Sequence, residues 1–263
     1  MPTTYTHDLF GKLVYRKLPA NIQKVIREHG DLYRIGLHGP DILFYDLLNK
    51  KVNGTGIQMH KEIAREFFIN NLEKIRKTKD QALLAYILGF GCHYLLDSTC
   101  HPTVNEMADK GVISHTLSEK ELDRTLMIRT GRNPLTYYPS DCIVPKPAYA
   151  EVIHKAIPSI PAPKILWSLK LLKLETNMMV PDNHGRRKRA LAFFGKLIYG
   201  KADEVLEHFM EQEPVKGSEE PVETLLELFE QALKEAPKYV EELYCLAHRE
   251  GTLSDRFDRT YNG

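Results

Sequence analysis

The most distinctive feature of this chain is a run of histidines and carboxylates at four-residue steps. His93, Asp97 and His101 follow one another at this spacing, and His115 and Glu119 repeat it further along. Side chains at positions i and i+4 of an α-helix lie on one face, about 6 Å apart along the axis, so they can bind one metal ion. The two groups therefore predict at least two bound metals.

The segment around the first group is expected to be buried. Residues 82–96 read ALLAYILGFGCHYLL, which is apolar on nearly every helical face and too short to cross a bilayer. A carboxylate in such a helix has a large desolvation cost unless it is paired, hydrogen-bonded or bound to a metal. Metal binding therefore explains Asp97 better than packing does.

Helical geometry gives Asp97 the central place among these ligands. It lies one turn from His93 and one turn from His101, whereas the two histidines are about 12 Å apart along the axis. Pro102 disfavours helical geometry at the residue before it, so we expect the helix to end near His101. His101 would then turn toward a second ion, which the later His/Glu pair would complete.

The elements that position these residues are predicted to be helical. Apolar residues recur at helical spacing nearly everywhere, and no segment alternates convincingly as a strand does. A loop is expected at residues 51–56, and the leucine-rich C-terminal run is expected to pack as an amphipathic helix. The predicted helices span residues 8–18, 19–29, 58–77, 79–100, 117–129, 146–156, 163–173, 186–212 and 219–248.

Length and composition indicate a single domain over residues 1–263, with the ligands within 1–125 and residues 126–263 completing the helical fold. The chain has 263 residues, 43% of them hydrophobic, which is enough to bury a substantial core. Four cysteines show no spacing typical of a disulfide framework or a zinc knuckle. We therefore expect free thiols.

Charge and terminal composition restrict the partners and the location. The formal net charge of +1 gives no electrostatic case for a stable nucleic-acid complex. The amino-terminal residues lack the pattern of a secretory signal, and no segment has the length of a membrane span. We therefore expect a cytoplasmic protein whose contact with membranes, if any, is transient. The oligomeric state is left open.

Three further candidate ligands, His7, Asp41 and His60, precede these residues in the sequence. With them included, the ligand order resembles that of the zinc-dependent phospholipase C family, whose fold relatives include the single-strand-specific zinc nucleases. Taken singly, a histidine near an apolar segment more often packs or forms a hydrogen bond, and a Pro-Asp pair more often makes a turn. In order, however, the residues match the family pattern through the first 125 residues or so. The eight matching residues are His7, Asp41, His60, His93, Asp97, His101, His115 and Glu119.

The resemblance implies an all-α fold around a buried cluster of three zinc ions. One ion would bind Asp41, His60, His93 and Asp97, a second would bind His101, His115 and Glu119, and a third would bind His7 and Asp97. Secreted family members complete the third site with an N-terminal tryptophan, which this chain lacks. Removal of the initiator methionine would expose the amine of Pro2, which we take as the candidate substitute ligand.

The resemblance also implies the chemistry, namely hydrolysis of a phosphate ester with Asp41 as general base. The expected reaction is that of a phospholipase C, which releases diacylglycerol and a phosphorylated headgroup from a phospholipid or small phosphodiester. One alternative is a nuclease or phosphomonoesterase with the same cluster, and another is a noncatalytic metal-stabilised binding module. Manganese or iron would accept the same nitrogen and oxygen ligands as zinc.

Aromatic residues near the ligands are candidates for substrate contact. Tyr137 and Tyr138, after the last ligand helix, are expected to be the best placed for this role. Most of the others are expected in the core or at the rim of the site. These others are Tyr5, Phe44, Tyr45, Phe67, Phe68 and Tyr94.

Overall fold

A computed structural model describes residues 4–182, 184–199 and 206–263 of the chain. The described residues form one helical domain without strands, which confirms the all-α prediction. The α-helices are α1 (Thr4–Lys17), α2 (Ala20–Glu28), α3 (Gly30–Gly36), α4 (Lys50–Lys61), α5 (Arg65–Thr78), α6 (Gln81–Asp109), α7 (His115–Arg129), α8 (Pro147–Ala156), α9 (Ala162–Met178), α10 (Arg186–Tyr199) and α11 (Glu219–His248). Short 3-10 turns occur at Gly39–Leu43, Pro139–Cys142 and Asp255–Phe257.

Helix α6 is the core of the domain, as its apolar composition predicts. Its first turn is capped by Asp80, whose side chain accepts a hydrogen bond from the backbone N–H of Leu83 at 3.0 Å. Helices α3 and α11 pack along it. The approach of α3 requires glycine, because a Cβ at Gly89 would lie 2.1 Å from the carbonyl oxygen of Tyr33. Burial of α6 from several sides therefore fixes the residues that project from it.

Helix α6 extends beyond Pro102 to Asp109, so the prediction that it ends near His101 is wrong. A proline inside a helix removes one backbone hydrogen bond and costs about 3 kcal/mol. Packing of the long buried helix outweighs this cost. His101 therefore keeps its place on the same helical face as Asp97 instead of turning away at a helix end.

Other helix boundaries also differ from the sequence prediction. Residues 58–77 are not one helix, because α4 ends at Lys61 and α5 begins at Arg65. Most of the predicted loop at residues 51–56 belongs to α4, which Asn49 caps by accepting a hydrogen bond from the N–H of Val52. Because polar residues and two glycines dominate this segment, its sequence pattern does not predict a helix. Helix α10 is described only to Tyr199, and part of the predicted helix 186–212 lies outside the described residues.

The segment after α11 returns to the core. The hydroxyl of Tyr94 on α6 donates a hydrogen bond to the carbonyl of Arg256 at 2.7 Å. The backbone N–H of Ala64 donates to the carbonyl of Arg259 at 3.1 Å. These bonds bring Tyr261 into the interior, where its side chain is 1% exposed.

The sequence also predicts free cysteines, a packing role for the last long helix and no membrane-spanning segment. All four cysteines are free thiols, as expected. Helix α11 buries its apolar face, including Leu225, Phe229 and Leu243, against α6 and its neighbours, which confirms a packing role. Among the described residues, no helix combines the length and the apolar character needed to cross a bilayer.

Candidate metal centre

Helix α1 brings His7 to the centre, and Asp123 of α7 fixes the start of that helix. The Asp123 carboxylate accepts hydrogen bonds from the backbone N–H groups of Tyr5 and Thr6 at 3.2 and 2.8 Å. These bonds satisfy amide groups of the first helical turn, which have no partners within the helix. On the next residue, Asp8 accepts two hydrogen bonds from the Arg34 guanidinium at 2.7 and 2.8 Å. Hydrogen bonds therefore hold both neighbours of His7, Thr6 and Asp8, and so fix the position of His7.

The turn Gly39–Leu43 places Asp41, and its first residue must be glycine. Gly39 has φ +47°, and a Cβ there would lie 2.1 Å from Cδ2 of His93. No L side chain fits both the backbone conformation and the space. Helix α4 supplies His60, whose Nε2 lies 2.9 Å from Oδ1 of Asp41. The turn and the helix end thus bring both residues to His93.

Asp97 lies at the centre of four histidines. Its Oδ1 is 3.2 Å from Nε2 of His7 and 3.8 Å from Nε2 of His101. Its Oδ2 is 3.0 Å from Nε2 of His93 and 3.7 Å from Nε2 of His60. Each carboxylate oxygen therefore faces a different pair of imidazoles. This arrangement suits a carboxylate shared between neighbouring ions.

Two groups of ligand atoms are close enough to hold ions. His7, Asp41, His93 and Asp97 form the first group, and within each group the ligand atoms all lie within 4.8 Å of one another. The second group comes from α6 and α7 and consists of His101, His115 and Glu119. In the second group, Oε1 of Glu119 is 3.3 Å from Nε2 of His101 and 3.1 Å from Nε2 of His115.

Three of the histidines are oriented by acceptors on their outer ring nitrogens. Nδ1 of His60 lies 2.9 Å from the carbonyl oxygen of Gly56, and Nδ1 of His101 lies 3.2 Å from that of Tyr261. A carbonyl oxygen can only accept, so in both rings Nδ1 carries a proton and Nε2, on the side of the carboxylates, is the nitrogen that can bind an ion. His115 is held similarly, with Nδ1 3.1 Å from Oδ1 of Asn105. Histidines that bind metals are usually oriented in this way.

Several ring nitrogens of the buried imidazoles have no hydrogen-bond partner among the described residues, which fits a role in binding a metal. Both ring nitrogens of His93 and Nδ1 of His7 are buried without a hydrogen bond of acceptable geometry. A buried polar atom without a partner is costly, and a ligated ion removes that cost for a nitrogen lone pair. The donor set of imidazoles and carboxylates is the set that zinc accepts. The residues present therefore fit zinc.

The electrostatics of the centre favour ionised carboxylates. Burial alone would raise the pKa of Asp97, but His101, His93 and His7 hold that pKa well below its usual value. Burial likewise opposes ionisation of Asp41, and His93 and His60 outweigh it, so the pKa of Asp41 is also lowered. By contrast, burial lowers the pKa of neighbouring His38 to about 3. His38 is thus a neutral packing residue.

The centre opens into a cavity of about 240 Å³. Every predicted side-chain ligand except His93, which is fully buried, lines this cavity. Four further residues line it: Phe44, Ile57, Lys61 and Asn262. The Phe44 ring lies 4.9 Å from that of His60, centroid to centroid. A small substrate group can therefore reach both ligand groups from one opening.

The geometry agrees with a comparison against protein families. Residues 6–160, more than half of the chain, match the family model described as zinc dependent phospholipase C. The chain belongs to the zinc-dependent phospholipase C family. It is therefore a zinc-dependent hydrolase of phosphate esters by family, and the family implies a phospholipid substrate. Neither the curated proteins nor the solved structures include a match to it.

Within this family member, the structure groups the predicted ligands somewhat differently from the resemblance. His7, expected at a third ion, lies in the first group, where its ring centroid is 4.5 Å from that of His93. His60 lies beside that group through Asp41 and Asp97. The proposed N-terminal ligand Pro2 lies outside the described residues.

The aromatic predictions are partly met. Phe44 lies at the rim, as expected, whereas Tyr137 and Tyr138 do not line the cavity of the centre. The Tyr137 ring packs edge-on against Tyr5, and the Tyr138 hydroxyl accepts a hydrogen bond from Arg187 at 3.0 Å. Both tyrosines thus make structural contacts, and their role in substrate contact stays a prediction.

Sequence reasoning missed two residues at the centre, Tyr261 and Asn262. The Tyr261 ring packs on those of His60 and His93, with centroid distances of 5.1 and 5.8 Å. The Asn262 side chain donates a hydrogen bond to the carbonyl of His60 at 3.3 Å. Both lie beyond the matched residues 6–160. No spacing signal marks them, because Tyr261 orients His101 through its backbone.

Proposed function

We propose that this protein is a phosphodiesterase of the phospholipase C type that cleaves the bond between phosphorus and the glycerol oxygen of a phospholipid. The observation that supports this proposal most is the shared cavity, because both groups of candidate ligands open to the same space of about 240 Å³. Such a space admits a phosphate and its headgroup, while the acyl chains would stay outside. The products would be diacylglycerol and a phosphorylated headgroup.

The proposed zinc ligands are the eight residues of the ordered pattern. Asp41, His60, His93 and Asp97 would hold one ion, and His101, His115 and Glu119 a second. The proximity of His7 to Asp97 supports a third ion between them. Zinc bound at these positions would polarise the phosphoryl oxygens and make water more acidic.

Asp41 is the proposed general base. It lines the cavity, and its lowered pKa keeps it ionised and able to accept a proton. In the reaction, the oxygen of water forms a bond to phosphorus as the bond from phosphorus to the glycerol oxygen breaks. The attacking water loses one proton and the departing glycerol oxygen gains one, so the step is balanced.

The residues at the rim of the cavity favour a small phosphodiester as substrate rather than a polymer. Lys61 supplies positive charge, and Phe44 and Ile57 supply apolar surface beside it. A ring face beside a cationic headgroup would contribute a cation–π contact. The overall charge of +1 gives no electrostatic case for binding a nucleic acid.

Product analysis tests the proposed reaction. Zinc-loaded protein is incubated with a monomeric short-chain phosphatidylcholine, and the products are separated by mass spectrometry. We expect diacylglycerol and phosphocholine in equal amounts. Phosphatidic acid with choline would contradict the proposed bond, and release of inorganic phosphate from a monoester or cleavage of single-stranded nucleic acid instead would favour the alternative hydrolases. Full metal loading without turnover would favour a binding module.

A further inference from the structure

Helix α4 forms one wall of the cavity and part of the surface around its opening. Ile57 and Lys61 of this helix line the cavity, as does Phe44, which precedes it. Lys50, Gly54, Ile57 and Lys61 are all exposed and lie at the i, i+4, i+7 and i+11 positions of one helical face. The face is thus continuous from the solvent to the candidate metal centre.

This face combines exposed apolar side chains with exposed lysines. Leu48, just before the helix, is 88% exposed, and Ile57 within it is 42% exposed. The helix reads KKVNGTGIQMHK, with Lys50, Lys51 and Lys61 and without any acidic residue. Among the described residues, none of these lysines forms an ion pair with a carboxylate. The nearest acidic residue in sequence, Glu62, accepts a hydrogen bond from Gln58 at 3.1 Å.

We propose that this α4 face, defined by Leu48, Lys50, Lys51, Ile57 and Lys61, docks the cavity onto an anionic phospholipid surface. The proposal deepens the proposed function and rests on it, since a lipid substrate must be reached at a membrane. Leu48 and Ile57 enter the boundary between headgroups and acyl chains, and the lysines contact anionic headgroups. Apolar residues flanked by lysines are the composition that binds such an interface.

The position of α4 makes this docking useful for catalysis. Asn49 caps the helix and so fixes the turn that presents Leu48. Ile57 and Lys61 border the cavity itself, so a lipid held at the α4 face has its phosphate next to the opening. The surface and the site therefore face one substrate, and the lipid need only move a short distance out of the bilayer.

Sedimentation with vesicles tests the proposal without requiring turnover. The full chain is mixed with phosphatidylcholine vesicles that contain or lack phosphatidylserine. We expect Leu48→Ser to weaken binding to both about tenfold, as removal of one partly buried leucine predicts. The double variant Lys50→Glu/Lys51→Glu should weaken binding about tenfold or more, and only to vesicles with phosphatidylserine. Ile128→Ser on α7 is the matched control, since Ile128 is 54% exposed.

A variant that binds vesicles more tightly than the wild type cannot be explained by misfolding, so it complements the variants that lose binding. Gly54 is exposed and a Cβ there would meet no atom within 4 Å, so Gly54→Trp adds a large apolar side chain to the α4 face at an open position. We expect this variant to bind vesicles more tightly than the wild type. Unchanged binding in all three α4 variants, or equal loss in Ile128→Ser, would overturn the proposal.

Activity on a monomeric short-chain phospholipid separates this proposal from the proposed function. Leu48→Ser should retain wild-type turnover of the monomeric substrate and lose turnover of vesicle phospholipid in proportion to binding. If the wild type hydrolyses no phospholipid but binds vesicles through α4, the proposed reaction fails and the docking surface stands. If it hydrolyses the monomeric substrate and the α4 variants bind vesicles normally, only the docking surface fails.

Discussion

The backbone carbonyl oxygen of Tyr261 lies 3.2 Å from Nδ1 of His101, so a residue near the C-terminal end of the described chain orients a candidate ligand on the central helix. The Tyr261 ring also packs on His60 and His93. Packing and orientation by a second residue typically affect metal affinity by about 10- to 100-fold. The segment 255–263 is therefore expected to support the metal centre.

Removal of residues 261–263 should weaken zinc binding. The truncated protein loses the acceptor for His101 and the ring beside His60, so we expect it to release zinc to a chelator faster than the full chain does. Tyr261→Phe is the matched control. Its buried hydroxyl has no hydrogen-bond partner among the described residues, so the variant should bind zinc normally and be as stable as the wild type or more so. Normal zinc retention after truncation would exclude a role for the segment.

Asp97→Asn and Asp41→Asn should affect different properties. Asp97 faces four histidines, so its replacement is expected to reduce zinc content in both ligand groups. Asp41→Asn should keep more of the zinc and lose turnover by about 10²- to 10⁴-fold, the range for loss of a general base. Zinc content and turnover are measured together, with buried Asp46→Asn as control. Equal zinc loss in the Asp41 and Asp97 variants would argue against this division of roles.

Gly39→Ala should disrupt the centre although it alters no ligand. The added methyl group would lie 2.1 Å from the His93 ring on a backbone with φ +47°. We expect a loss of about 1–3 kcal/mol in the free energy of unfolding, together with reduced zinc content. Gly54→Ala adds the same methyl group on α4, where it meets no atom within 4 Å, and should stabilise the helix by up to about 1 kcal/mol. Equal changes in the free energy of unfolding and in zinc content for Gly39→Ala and Gly54→Ala would contradict a specific requirement for glycine at position 39.

Glu175 gives the protein a pH-dependent destabilisation that is independent of the centre. Burial and the nearby Asp46 raise the pKa of Glu175 to about 7. The folded state therefore favours the protonated form of Glu175, so the contribution of this residue to stability is most favourable below its unfolded pKa and becomes unfavourable as pH rises toward 7. Glu175→Gln removes the penalty and should raise the free energy of unfolding by about 2 kcal/mol near pH 8, with little effect near pH 4. Denaturant titrations at both pH values measure this, and equal effects at both would contradict it.

Local spacing predicted much of the site because helices place residues i and i+4 together. The apolar sequence of α6 identified the buried helix, and the steps from His93 to His101 identified the face that carries ligands. The position of Asp97 between His93 and His101 follows from the same geometry. His7 and Asp41 lie far apart in sequence, so only the ordered resemblance indicated that they meet.

The remaining features depend on tertiary contacts that spacing does not encode. Pro102 lies inside α6 because packing along the whole helix outweighs a local preference. Helix α4 contains two glycines and few apolar residues, so its pattern resembles that of a loop. Tyr261 acts through its backbone carbonyl, which every residue possesses, so its side-chain identity carries no signal of the contact with His101.

The most direct test of zinc-dependent phosphodiester hydrolysis is metal content per chain, measured by elemental mass spectrometry on tag-free protein. It is paired with turnover of a chromogenic phosphocholine ester before and after chelation. We expect about three zinc ions per chain, with turnover that is lost on chelation and regained when zinc is restored. A chain that binds no zinc, or one whose turnover is unchanged after complete removal of zinc, would contradict the account.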